Sequence, residues 1–198
     1  MNLPNKLSIL RLVMIPIFAV IFFIPDIPYN YLISAIIFAL AAATDFLDGY
    51  IARKYNLVTN LGKFLDPIAD KVLVSTALII MLVNPNVIYP PILPWYGAIA
   101  VAVILARELI ISGFRMVAAS KGMVLAADKS GKIKTFFQDI SIVVLLAGAS
   151  FETIPFTNLP MPYGVVNIIG LSLLGIATIL TIVSGFEYLI KNRAVLKD

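Results

Sequence analysis

The chain has 198 residues, 61% of them hydrophobic and only 13% charged, with a mean hydropathy of +0.99. Soluble domains run at roughly 45–50% apolar and about 25% charged residues, so this composition excludes an ordinary soluble domain and describes an integral membrane protein. The net charge is +4 and cysteine and histidine are absent, which excludes disulfides, thiol chemistry and imidazole bases and leaves oxygen ligands for a metal such as Mg2+, Mn2+ or Ca2+.

Long unbroken apolar runs predict helices rather than the alternating strands of a barrel. About 20 apolar residues cross the hydrocarbon, and six stretches qualify: 7–24, 31–51, 67–88, 95–117, 135–149 and 165–190. The first has the length of a signal peptide, but no small-residue cleavage site follows it, so it is expected to be a retained helix. The breaks PDIPYN, NPNVIYPPILP and FTNLPMPYG concentrate Pro and Asn. Tyr89, Trp95, Tyr96 and Tyr163 lie beside them, where an interfacial aromatic belt falls.

Orientation follows from counting charges. With the N-terminus inside, the outer connections near 25–30, 84–94 and 150–164 hold no Lys or Arg, and all 15 basic residues lie in or near inner segments. That positive-inside pattern predicts an all-α protein of six transmembrane helices, multi-pass in the cell membrane, with both termini cytoplasmic. The basic balance then reflects topology and a face toward anionic membrane lipids, not nucleic acid. No internal repeat is visible, so 1–198 reads as a single transmembrane domain. The longest inner polar connection, 118–134, contains DKSGKIK, which lacks the glycine spacing of a phosphate loop.

The segment TDFLDGYIARKYNLVTNLGKFLDPIAD, from Thr44 to Asp70, is the exception to this avoidance of charge. On the second helix Asp45, Asp48, Gly49 and Ala52 fall within about 100° of one another around the axis. Asp66 and Asp70 are four apart and share a face of the third. Four carboxylates meeting at a membrane edge repel one another, and each costs up to roughly 2.5–3.5 kcal/mol if buried in the bilayer. Lys63 and Lys71 are possible partners; two divalent ions bridged by the carboxylates compensate better. Two other readings stay open on spacing alone. One is a solvated, fraying helix end, with Asp66 as N-cap before Pro67. The other is a cation- or proton-coupled transport site.

The pattern Asp45-x2-Asp48-Gly49-x2-Ala52-Arg53-x8-Gly62-x3-Asp66-x3-Asp70 resembles the complete signature of the CDP-alcohol phosphotransferases. The resemblance implies displacement of CMP from a CDP-linked lipid by an acceptor hydroxyl. It implies that Asp45, Asp48, Asp66 and Asp70 hold two divalent cations, Mg2+ or Mn2+, with Asp70 also the general base. Gly49, Ala52, Arg53 and Gly62 match the positions that bind the CDP moiety, and Thr59 is a further hydroxyl contact. The opening NLPNKLSILR also resembles the family, so Asn5 and Ser8 are expected either to touch the nucleotide or simply to cap the first helix, with Lys6 and Arg11 as topology signals. Family members pair as homodimers, so a homodimer is implied.

The acceptor is read from RELIISGFR. Arg107 and Arg115 lie about 80° apart around the fourth helix and about 12 Å apart along it. They are either an Arg107–Glu108 pair with a snorkelling Arg115, or a phosphate clamp completed by Lys132 or Lys134 from the basic loop. NLPNKLSILR, RELIISGFR and KSGKIKT together resemble the phosphatidylglycerophosphate synthase branch of the family. That branch implies CDP-diacylglycerol as donor and glycerol 3-phosphate as acceptor. Cardiolipin synthases, which use phosphatidylglycerol, are the nearest alternative, and phosphatidylinositol-phosphate synthases a more distant one. A transporter predicts acids leading to both faces, whereas Asp26 and Glu152 are the only outer ones.

Overall fold

The computed structural model describes residues 2–55, 59–84, 95–123, 125, 129–151 and 163–196. All its regular structure is helical: α1 Leu3–Phe23, α2 Asn30–Lys54, α3 Asn60–Val83, α4 Tyr96–Ser120, α5 Lys129–Phe151 and α6 Tyr163–Lys191, followed by a 3-10 turn at Arg193–Leu196. Five of the six are long and apolar enough to cross a membrane. The other, α3, carries Asp66, Asp70 and Lys71 in its 24 residues.

The exterior is apolar as well as the interior. Large apolar side chains face outward on every helix, among them Val20, Leu40, Ile79, Leu109, Phe136 and Phe186, while Ser8, Arg11, Asp48, Lys134 and Gln138 are buried. In hydrocarbon the exterior is the cheap place for a Leu, and polar groups must find partners within the protein. One core joins all six helices through residues such as Phe18, Phe38, Leu78, Ile104, Leu145 and Leu174. A smaller one joins α4, α6 and the 3-10 turn through Ile111, Phe114, Ala118, Tyr188 and Val195.

Packing is most extensive between α5 and α6; α1 lies against α2 and α3, α2 against α5, and α4 against α6. The α1–α2 corner is tied by buried Asn30, whose Nδ2 donates to the Phe22 carbonyl at 3.0 Å. At the other end of α2 and α3, cross-helix contacts bring the N-terminal halves of α1, α3 and α5 together with the C-terminal halves of α2, α4 and α6.

The α5–α6 approach depends on glycine. A Cβ on Gly170 would lie 2.7 Å from Leu145 Cγ and 3.3 Å from the Leu145 backbone nitrogen. Gly170→Ala is expected to force the helices apart at a cost of about 1–3 kcal/mol, outweighing the roughly 0.5–1 kcal/mol that alanine gains in helix propensity. Thermal unfolding in detergent checks this; an unchanged midpoint would show that the crossing gives way.

Several boundaries differ from expectation. α3 begins at Asn60, not Pro67, because Thr59 caps it, its side chain accepting from Gly62 N at 3.0 Å. Pro67 therefore sits inside the helix and Asp66 is not its N-cap. α3 also stops at Val83. α5 begins at Lys129 rather than 135, so Lys132 and Lys134 belong to a helix and not to a loop. Tyr89 and Glu152 lie outside the described residues.

Candidate active site

α1 supplies a polar stripe at every third residue: Asn5, Ser8 and Arg11. The stripe faces α2 and α3. Asn5 is not a cap; α1 starts at Leu3 and the Asn5 Oδ1 accepts from the Thr59 hydroxyl at 2.9 Å. Ser8 donates to Asp66 Oδ1 at 2.6 Å, with a second contact to the Pro4 carbonyl. Arg11 is no surface anchor. It is wholly buried, its two guanidinium arms each 2.6 Å from a carboxylate, one on Asp45 and one on Asp48. Its Nε donates to the Ala41 carbonyl at 3.2 Å. This fork-shaped pairing places one guanidinium against two carboxylates, the buried Asp48 and the partly exposed Asp45. The spacing Asn5-x2-Ser8-x2-Arg11, one face of a helix, is the signal that could have found Arg11.

Asp45, Asp48, Asp66 and Asp70 line one cavity of about 680 Å3, together with Gly49, Lys132, Thr135 and Asp139. Gly62 lets α1 approach: a Cβ there would meet Asn5 Oδ1 at 2.9 Å and Thr59 Oγ1 at 3.3 Å. The side chains of Ala52, Arg53 and Lys63 lie outside the described ones. Lys71 does not pair with the aspartates; it donates to the Ser112 hydroxyl on α4. Asp139 was not foreseen. It adds a fifth carboxylate to the wall, and its Oδ1 is buried without a hydrogen-bond partner.

The donor set suits a hard divalent ion in kind and place, because every candidate ligand is an oxygen and all line one water-accessible wall. Among the described residues no three acidic side chains already converge as a chelate. Asp45 and Asp48 are instead turned onto Arg11, and Asp66 onto Ser8.

A second compartment, of about 240 Å3, is basic. It is lined by Asp70, Lys71, Arg107, Glu108, Arg115, Gly131, Lys132, Thr135 and Tyr188. The two open alternatives for α4 are both partly met in its geometry. Arg107 lies 3.3 Å from Glu108 Oε1 and donates to the Ser184 hydroxyl at 3.1 Å, while its buried Nε has no partner. Lys134 is buried and committed to Glu108 at 2.5 Å. Arg115 stacks on the Tyr188 ring at 5.3 Å and donates Nε–H to its hydroxyl at 3.1 Å. Arg115 is exposed and also lines this pocket. Lys132 is exposed and borders both compartments. Tyr188 was missed; nothing in its sequence neighbourhood sets it apart from a core aromatic. Asp70, Lys132 and Thr135 are shared by the acidic cavity and the basic pocket, so the two communicate at α3 and α5.

Residues 1–186 match the family model described as CDP-alcohol phosphatidyltransferase. A Bacillus subtilis (strain 168) protein named CDP-diacylglycerol–glycerol-3-phosphate 3-phosphatidyltransferase is 42% identical over 207 residues, covering 99% of this chain and 97% of its own. Proteins of the same name from Rickettsia typhi, 40% identical with 94% of each chain covered, and from Shigella flexneri serotype 5b, 34% identical with 100% and 98% covered, are also similar. On the family match over nearly its whole length and on these relatives, the chain belongs to the CDP-alcohol phosphatidyltransferase family.

Proposed function

We propose that this chain transfers the phosphatidyl group of CDP-diacylglycerol to glycerol 3-phosphate, giving phosphatidylglycerol phosphate and CMP. The observation that carries the reading is the position of Asp70, on the boundary between a carboxylate-lined cavity and an arginine-lined pocket. The first compartment suits a diphosphate neutralised by cations, and the second suits an acceptor that brings its own phosphate. Serine or free inositol would leave Arg107 and Arg115 without an anion.

Asp45, Asp48, Asp66 and Asp70 are the residues that would hold two divalent cations. When bound, such ions offset the charge of the diphosphate and of the departing CMP. Gly49 lines the cavity on α2, and positions 5, 8, 52, 53, 59 and 62 are assigned to the CDP moiety on the family signature and the opening segment. Arg107, Arg115 and Lys132 receive the acceptor phosphate; Lys134 acts through Glu108, keeping that carboxylate from repelling the anion. The acceptor's free hydroxyl then lies beside Asp70, which takes its proton as the oxygen bonds to the lipid phosphorus and the bond to CMP breaks. We place α3 as a sixth span, both termini and the active site on the cytoplasmic side of the cell membrane, and the working unit as a homodimer. The basic residues gathered at one end of the bundle support that placement.

The test is CMP release from CDP-diacylglycerol by purified protein in detergent, with glycerol 3-phosphate, phosphatidylglycerol, serine or inositol phosphate and with Mg2+, Mn2+ or EDTA. Release is expected only with glycerol 3-phosphate and a divalent ion, and EDTA should abolish it. Release with phosphatidylglycerol instead would make the chain a cardiolipin synthase. No release under any condition would return the aspartates to a transport role.

A further inference from the structure

We infer that Gln138 reads the hydroxyl next to the attacking one on the acceptor, and so fixes which alcohols are used. The inference rests on the function proposed above. Gln138 lies on α5 one turn beyond Lys134 and is 2% exposed, yet its Oε1 has no hydrogen-bond partner. Buried acceptors are nearly always satisfied, and leaving one bare costs more than a made hydrogen bond returns. The atom therefore calls for a donor from outside the chain.

The space in front of it is specific. A small cavity of about 30 Å3 between α3, α4 and α5 is lined by Asp70, Ser75, Glu108, Lys134, Thr135 and Gln138, among others. It has room for about one water-sized group. It shares Asp70, Glu108 and Thr135 with the basic pocket, so it is a side niche of the acceptor compartment, next to the proposed base.

The chemistry of the niche selects its guest. Lys134 is taken up by Glu108 and Lys71 donates to Ser112, so both cations are already engaged. Their charges offset those of the Asp70 and Glu108 carboxylates, and the Gln138 amide oxygen is the acceptor left bare. An anionic phosphate or carboxylate oxygen has no proton to give that oxygen, while a neutral O–H can donate to it. The guest is thus an alcohol on the carbon beside the reacting one. Glycerol 3-phosphate offers it at C2.

The experiment compares glycerol 3-phosphate with 3-hydroxypropyl phosphate, which keeps the phosphate and the attacking primary hydroxyl but lacks the one at C2. The unmodified protein is expected to favour glycerol 3-phosphate by about tenfold in kcat/KM, the value of one lost hydrogen bond to a buried acceptor. Gln138→Met, of similar length and without the amide, is expected to use the two alike. If that variant does not fold, Gln138→Asn, which withdraws the oxygen by one methylene, should narrow the preference in the same direction. Equal use of both by the unmodified protein, or an undiminished preference in a folded variant, overturns the inference and leaves the niche to a structural water. Failure of the unmodified protein to release CMP with glycerol 3-phosphate would instead remove the proposed function, a result distinguishable from either.

Discussion

Asp70→Asn is expected to lower turnover by about 10²–10⁴-fold while the protein still folds and binds CDP-diacylglycerol. The amide keeps the size and planarity of the carboxylate, so the junction of the two compartments keeps its shape. It cannot take a proton from the acceptor and is a poorer ligand for a cation. Rapid-mixing measurement of CMP formation, alongside CDP-diacylglycerol binding at equilibrium, separates the chemical step from assembly of the site. A variant with near-normal turnover would remove Asp70 as base. Loss of donor binding together with turnover would make its main work the holding of a cation.

The second large effect belongs to Arg11. Arg11→Met keeps most of the volume but leaves Asp48, 2% exposed, without its counter-charge. Removing one partner of a buried ion pair costs about 3–5 kcal/mol. In EDTA the variant should unfold at a distinctly lower temperature than the unmodified protein. Adding Mg2+ should narrow that gap, because a divalent ion held by the aspartates would replace the missing charge. Arg11→Lys, which keeps the charge but loses the two-armed geometry, should fall between. Equal stability of Arg11→Met and the unmodified protein in EDTA would show that Asp48 finds another partner or gives up its charge.

The acidic half of the site was legible because its meaning lies in spacing. Two carboxylates three apart and two four apart can only stand on shared helix faces, and the structure gathers all four in one cavity. Arg11 was passed over despite its spacing from Asn5 and Ser8, because counting basic residues for topology treats each as a surface signal. In a membrane protein the same residue is as well placed inside, provided carboxylates meet it. The late starts expected for α3 and α5 share a cause. Polar turns were assigned to loops by hydropathy, but 60–66 and 129–134 are helical, and Asp66 and Lys132 among them line the acidic cavity. The partnership of Arg115 with Tyr188 joins residues 73 apart, on α4 and α6, and no local pattern encodes it.

The residues proposed to handle the donor stand on α1, α2 and α3, while Arg107, Arg115 and Tyr188 stand on α4 and α6, which share a small apolar core with the 3-10 turn. Only α3 and α5 border both. The molecule is therefore modular in an evolutionary sense. A lineage can drift to a new alcohol by changes along α4, α6 and the inner face of α5, leaving the aspartates and their arginine untouched. One chemical engine can in this way be inherited intact beneath a succession of interchangeable acceptor seats.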